Sequence, residues 1–197
     1  MEHDFTPYGV IPKRSKNKFQ ALKEIYPYLD KKELVLIENL KPNSGYLEYY
    51  SPDEPGSKEH PRPKELPMGK VGIEIRSDET RPIDVLGDFV SHYSIYNDPM
   101  IIDNYKKFRR SLTDRQIEHL SNQYQDYAQG YYIDESGNKV DLGYTEKRGF
   151  PTWLEMSGLP GLYRGYLFKQ YEDAEKYYTP EQINLFNEVK PYLGIND

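Results

Sequence analysis

Apolar side chains recur every three to four residues through the middle of the chain, and that spacing predicts three successive amphipathic helices. Ile83, Leu86, Phe89/Val90 and Tyr93 mark the buried stripe of the first, from about Arg81 to Ile95, with Pro82 acceptable in its opening turn. Asp98-Pro99 opens the second, with Ile101/Ile102, Tyr105 and Phe108 inward. Thr113 followed by Gln116 has the spacing of a capping box and starts the third, with Ile117, Leu120, Tyr124 and Tyr127/Ala128 expected on its buried side. Thr179-Pro180-Glu181-Gln182 repeats that signature before a final helix through Ile183, Phe186 and Val189 to Gly194. Nearer the N-terminus, Phe19, Leu22, Ile25/Tyr26 and Leu29 predict a helix from Ser15 that Pro27 should end early.

Elsewhere the period shortens. Leu34-Val35-Leu36-Ile37 and Tyr46-Leu47-Glu48-Tyr49-Tyr50 flank the turn-forming Lys41-Pro42-Asn43-Ser44-Gly45, which predicts a hairpin, although residues 31–40 are also compatible with helix. Val71-Gly72-Ile73-Glu74-Ile75 alternates and reads as a third strand. Tyr131-Tyr132-Ile133 and Val140-Asp141-Leu142 around Glu135-Ser136-Gly137-Asn138 predict a second small hairpin or an exposed loop. Five prolines between 51 and 69 predict a long loop. Short helical pieces punctuated by glycine and proline follow Gly149. The expectation is an α+β fold, mainly helical, with a small antiparallel sheet or hairpin in the N-terminal half. Residues 1–14 form an extended arm and 15–197 a single domain with a proline-rich loop at 51–69.

A length of 197 residues suits one ordinary domain. Tyrosine alone contributes 20 residues, so many rings must be half buried with their hydroxyls at a partner or in water. The net charge of −6 disfavours nucleic acid as a partner. The lack of cysteine excludes disulfides, thiolate metal sites and cysteine nucleophiles. The acidic Met1–Phe5 segment lacks the apolar run of a signal peptide, and no stretch is long and apolar enough to span a membrane.

No complete catalytic set is legible and no cofactor is implied. The nearest approach to a site is Asp84, Asp88 and His92, spaced i, i+4, i+8 on one helix, a row able to hold a hard divalent metal or to let a carboxylate orient an imidazole. The competing reading is a solvated face opposite the apolar stripe. Against the His-Glu-x-x-His helix of zinc peptidases, the stretch Asp88-Phe89-Val90-Ser91-His92 has Asp at the first ligand and Phe89 where the general base belongs. Arg109 and Arg110, after Lys106-Lys107, either complement a helix C-terminus or contact phosphate beside Tyr105 and Tyr124. Tyr163, Arg164 and Tyr166 could present an arginine flanked by aromatics to a partner. Trp153, with Leu154 and Met156, is expected in the core.

Several segments resemble a domain of large polyvalent proteins of bacteriophages and mobile elements: Leu47–Pro52, Arg62-Pro63, Gly72–Ile75, Pro82–His92, Ser111-Leu112-Thr113 with Gln116, Tyr124, Trp153, Leu159-Pro160 through Arg164–Tyr166, and Tyr178–Gln182. The similarity spans roughly residues 45–193. It implies a phage-encoded accessory or virion-associated protein, in the virion or the host cytoplasm, acting through contacts with a phage or host protein or with itself. Such a module has no established activity, so no catalytic residue is carried over. Two alternatives stand beside it: a metal-dependent hydrolase-like enzyme using Asp84, Asp88 and His92, and an effector binding a host enzyme or single-stranded nucleic acid.

Overall fold

The computed structural model describes residues 2–4, 10–12, 22–23, 26–32, 34–39, 47–56, 61–76, 81–168 and 177–195. The fold is α+β and mainly helical, with small sheets in the N-terminal half. Its contacts cluster into two compact units, residues 1–102 with 186–197, and residues 103–185.

In the first unit the arm folds back on itself, β1 (Glu2–Asp4) pairing antiparallel with β2 (Val10–Pro12). Pro27, expected to end a helix, is instead the first residue of the short helix α1 (Pro27–Lys31), where its missing N–H costs nothing. Most of the stretch predicted helical upstream, and the turn at 41–45, lie outside the described residues.

The predicted hairpin is corrected. The strands β3 (Val35–Glu38) and β4 (Leu47–Tyr50) both exist, but β5 (Gly72–Ile75) lies between them, parallel to β3 and antiparallel to β4. As the central strand β5 is buried along its whole length, Glu74 included. Glu74 is kept ionised there because burial, which alone would push its carboxyl up, is outweighed by donation from Asn39 and from Arg76, whose Nε and Nη2 lie 3.0 and 2.8 Å away. Tyr50 also donates to Glu74, and its own hydroxyl is pushed up to about 12 by burial and then by that carboxylate. Gly72 leaves room for Leu66, since a Cβ there would sit 2.3 Å from its Cδ2.

The described parts of the proline-rich loop are organised by one side chain. Arg62 places its five N–H groups on five backbone carbonyls: Nε on Leu66 at 3.0 Å, Nη1 on Ser51 and Glu54 at 2.8 Å each, and Nη2 on Pro67 and Lys70 at 2.9 and 2.5 Å. Beyond β5, α2 (Pro82–Phe89) runs into a π turn at Val90–Ser94 and a last turn, α3 (Ile95–Asn97). Asp98, 2% exposed, then accepts hydrogen bonds from Tyr28 and Tyr192 and an ion pair from Lys32 at 2.7 Å.

The second unit takes in part of α4 (Pro99–Arg110), followed by α5 (Asp114–Gln129), β6 (Tyr131–Ile133), β7 (Lys139–Asp141), α6 (Phe150–Trp153), a second π turn at Leu154–Gly158, α7 (Leu159–Leu167) and the start of α8 (Pro180–Leu193). Both predicted capping boxes form, Thr113 with Gln116 and Thr179 with Gln182. The two glutamines then exchange amide hydrogen bonds of 2.8 and 3.0 Å, joining one helix start to the other. That contact changes only the first turn of α5, where Gln116 is buried and Ile117 38% exposed; Leu120 is buried and Tyr124, Tyr127 and Ala128 are half-buried, on the expected side. Gly130, left-handed at φ 79°, ends α5, and the predicted hairpin β6–β7 follows. Trp153 is in the core as expected, whereas Leu154 is half-buried and Met156 exposed.

Candidate functional site

The row Asp84, Asp88, His92 begins at the helix start. Arg81 is the N-cap of α2, and Asp84, three residues on, accepts from its backbone N–H at 3.4 Å and its guanidinium at 3.1 and 2.8 Å. Asp84 thus closes a helix end. Asp88 and His92 do come together, Oδ1 to Nε2 3.5 Å, with Asp88 buried and the imidazole partly exposed. The residue that spacing along the helix missed is Tyr49 on β4, whose ring stacks on His92 at 5.2 Å and 19°. Burial, then the neighbouring Tyr93, Asp88 and Glu54, raises the Tyr49 hydroxyl above its ordinary value. The π turn that holds His92 is a helical irregularity found often at functional sites. The arrangement orients an imidazole between a carboxylate and an aromatic face. Among the described residues, no three His, Asp or Glu side chains converge closely enough to hold a metal ion. Phe89, at the position a zinc peptidase gives its base, is fully buried against Tyr93 and Tyr28.

The proposed aromatic–arginine surface needs correction at Tyr163. That ring lies on the buried stripe of α7 with Leu159, Leu162 and Leu167, and its hydroxyl donates to Asn104 at 2.8 Å. Arg164 and Tyr166 are half-buried, and Tyr166 meets Tyr178 edge-on at 5.2 Å. Of the basic cluster, Arg109 pairs with Glu155 at 2.6 Å and lies over the ring of Tyr105, while Arg110 is exposed. Tyr105 is buried, and the ring of Tyr124 packs against Phe150 and Trp153 with centroids 5.3 and 5.6 Å apart, so neither is a free stacking face for a base.

A third place was not singled out by residue chemistry: the β6–β7 hairpin. A cavity of about 330 Å³ opens beside it, lined by Gln129, Tyr131, Lys139, Asp141, Tyr144 and Thr145 among others. Lys139 Nζ stands 3.9 Å above the Tyr131 ring, and Asp141 accepts from the Gly143 N–H at 2.8 Å. Tyr144, which lines it, is exposed, as are Tyr132 and Ile133 on β6, Ile133 by 58%. Below the hairpin, Glu146 is held down to about 2 by the Arg148 guanidinium, which anchors the returning chain. The signal in the sequence was Tyr-Tyr-Ile at an edge with turn residues after it; exposure was the part that only the structure supplies.

No protein-family model, no curated protein and no solved structure matches the chain.

Proposed function

We propose that this chain is an accessory or virion-associated protein of a bacteriophage or mobile element that works through protein–protein contacts and without catalysis, in the virion or the host cytoplasm. The observation that carries the contact reading is the exposure of Tyr132 and Ile133 on the two faces of a short two-stranded hairpin, with Tyr144 exposed just after it, since large apolar side chains left in water on a small sheet suit an interaction surface. Several buried or paired ionisable groups have structural work: Asp84 accepts from Arg81 at the start of α2, Glu74 holds the sheet, Asp98 ties Lys32, Tyr28 and Tyr192 together, and Glu146 binds Arg148. The phage setting is supported by the resemblance of residues 45–193. The test is a size measurement on the purified chain together with recovery of its partners from virions and infected cells. A monomer that recovers no partner ends the reading.

A second reading, a metal-dependent or acid–base site, is favoured by the Asp88–His92 pair at the π turn. It requires stoichiometric divalent metal that is lost on His92→Ala, or a hydrolytic activity with the same dependence. Binding of single-stranded nucleic acid through Lys106 to Arg110 has less support, because Tyr105 is buried and Arg109 is engaged by Glu155.

A further inference from the structure

The hairpin carries more than exposed side chains. Its register pairs Tyr131 with Asp141, Tyr132 with Val140 and Ile133 with Lys139. Leu142 N–H donates to Gly130 O, and Asp134 N–H to Asn138 O, each at 2.9 Å. Hydrogen-bonded pairs alternate along an antiparallel ladder, so Tyr132 and Val140, midway between those two pairs, are bonded to each other. The N–H and C=O groups of Lys139 and Asp141 therefore face away from β6. Among the described residues nothing bonds them there. The outer edge of β6 differs, because Gln129 Nε2 already donates to the Tyr131 carbonyl at 2.9 Å.

We infer that the free edge of β7 pairs antiparallel with β7 of a second copy of this chain, about a two-fold axis at Val140. This deepens the contact reading above and rests on it. The argument for a second copy, and against another strand, is charge. An edge lysine ordinarily discourages strand addition. Here Lys139 and Asp141 flank Val140 symmetrically, so self-pairing sets each Lys139 opposite the other copy's Asp141, and both charges become cross-strand ion pairs. The same register joins the outward N–H and C=O groups of 139 and 141 in reciprocal bonds. On the opposite face it aligns Tyr132, Val140, Val140 and Tyr132 in one apolar row across four strands. The contact is isologous and closes at two copies, because the two-fold axis consumes the β7 edge of both; on the far edge of β6 the Tyr131 carbonyl is already taken by Gln129. Three-residue strands bury far less than the roughly 1,200 Å² of a stable interface, so the dimer is weak and concentration-dependent.

Sedimentation equilibrium of the full chain over a wide concentration range tests this, with circular dichroism to confirm that each variant is folded. Wild type should dimerise reversibly. Lys139→Glu and Asp141→Lys should each weaken the dimer roughly tenfold or more, because each creates two like-charged cross-strand pairs. An equimolar mixture of those two variants should regain association, each supplying the charges the other lacks. A wild type that stays monomeric overturns the inference, as does a dimer equally tight in both reversals. A monomer that still recovers a phage protein overturns self-pairing and leaves the contact reading standing; a monomer that recovers none overturns both.

Discussion

Replacing Arg62 by lysine keeps the charge and removes the fork. The guanidinium satisfies five carbonyls spread from Ser51 to Lys70, and it has no donor left over. A lysine ammonium has three donors on one atom and can reach one or two of those oxygens at once. Arg62 is half-buried, so each bond is worth about 0.5–1 kcal/mol and not the ~1.5–3 kcal/mol of a shielded charge-assisted bond. Losing three or four gives an expected cost of about 1.5–4 kcal/mol for Arg62→Lys, and somewhat more for Arg62→Ala. Because the loop can open while the rest of the unit stays folded, the cost should appear first as local exchange. The backbone bonds at risk are Arg62 N–H to Pro55 O, Leu66 N–H to Pro63 O and Gly69 N–H to Pro52 O. Hydrogen exchange read by mass spectrometry on peptides covering 51–56 and 61–70, alongside urea denaturation, measures both effects. Arginine stays charged throughout the accessible range, so the difference should not vary with pH. If Arg62→Lys exchanged at wild-type rates in these peptides with an unchanged urea midpoint, the loop would be held by something other than this side chain.

Asp98→Asn should cost about 2–4 kcal/mol near neutral pH, because it leaves Lys32 facing a neutral amide in a buried network. Burial alone would raise the Asp98 carboxyl, but donation from Lys32, Tyr28 and Tyr192 holds it below its ordinary 3.8, so its contribution is present above that value and is lost as pH falls through the lowered one. Denaturation midpoints of wild type and variant should converge in acid, and parallel curves would contradict the assignment. Gln116→Ala should cost about 2 kcal/mol, whereas Ile117→Gln should stay within about 0.5 kcal/mol, an order opposite to hydrophobicity, and equal losses by denaturation would place Ile117 inside after all. A double-mutant cycle of Tyr49→Leu and His92→Leu should return a coupling of about 0.5–1 kcal/mol from the stacked rings, and zero coupling would remove that contact.

The contrast between Gln116 and Ile117 shows where sequence legibility ends. Period and capping chemistry are local, so Thr113, Thr179, Gly130 and the helix bounds could be read from a few adjacent residues. Which face a helix buries depends on what arrives from elsewhere, and the reciprocal amide bonds of Gln116 and Gln182 join residues 66 apart. The sheet failed for the same reason. The strands β3 and β4 announced themselves by β-rich composition, but their order depends on β5, which enters after the proline-rich loop, and periodicity carries no pairing information. At the candidate site, Asp88 and His92 share a helix face and were readable by spacing, whereas Tyr49 comes from another element and was not.

The tyrosine surplus, expected from composition as half-buried rings with their hydroxyls at a partner or in water, divides in two once hydroxyl partners are known. Tyr28 and Tyr192 donate to Asp98, Tyr50 to Glu74, Tyr163 to Asn104, Tyr124 to the Arg148 carbonyl and Tyr178 to the Leu162 carbonyl. In a chain without cysteine these rings bring apolar area to the core while their tips satisfy buried acceptors, a role phenylalanine cannot fill. These six of the twenty serve the fold, and their hydroxyl bonds have no bearing on partners. What bears on partners is the remainder that the core does not use. Tyr132 beside Ile133, on a strand next to the free edge of β7, is the member of that remainder whose backbone context also offers hydrogen bonds. Exposure and an unmet ladder coincide there, which is why the hairpin, and not tyrosine content as such, is where contact should be sought.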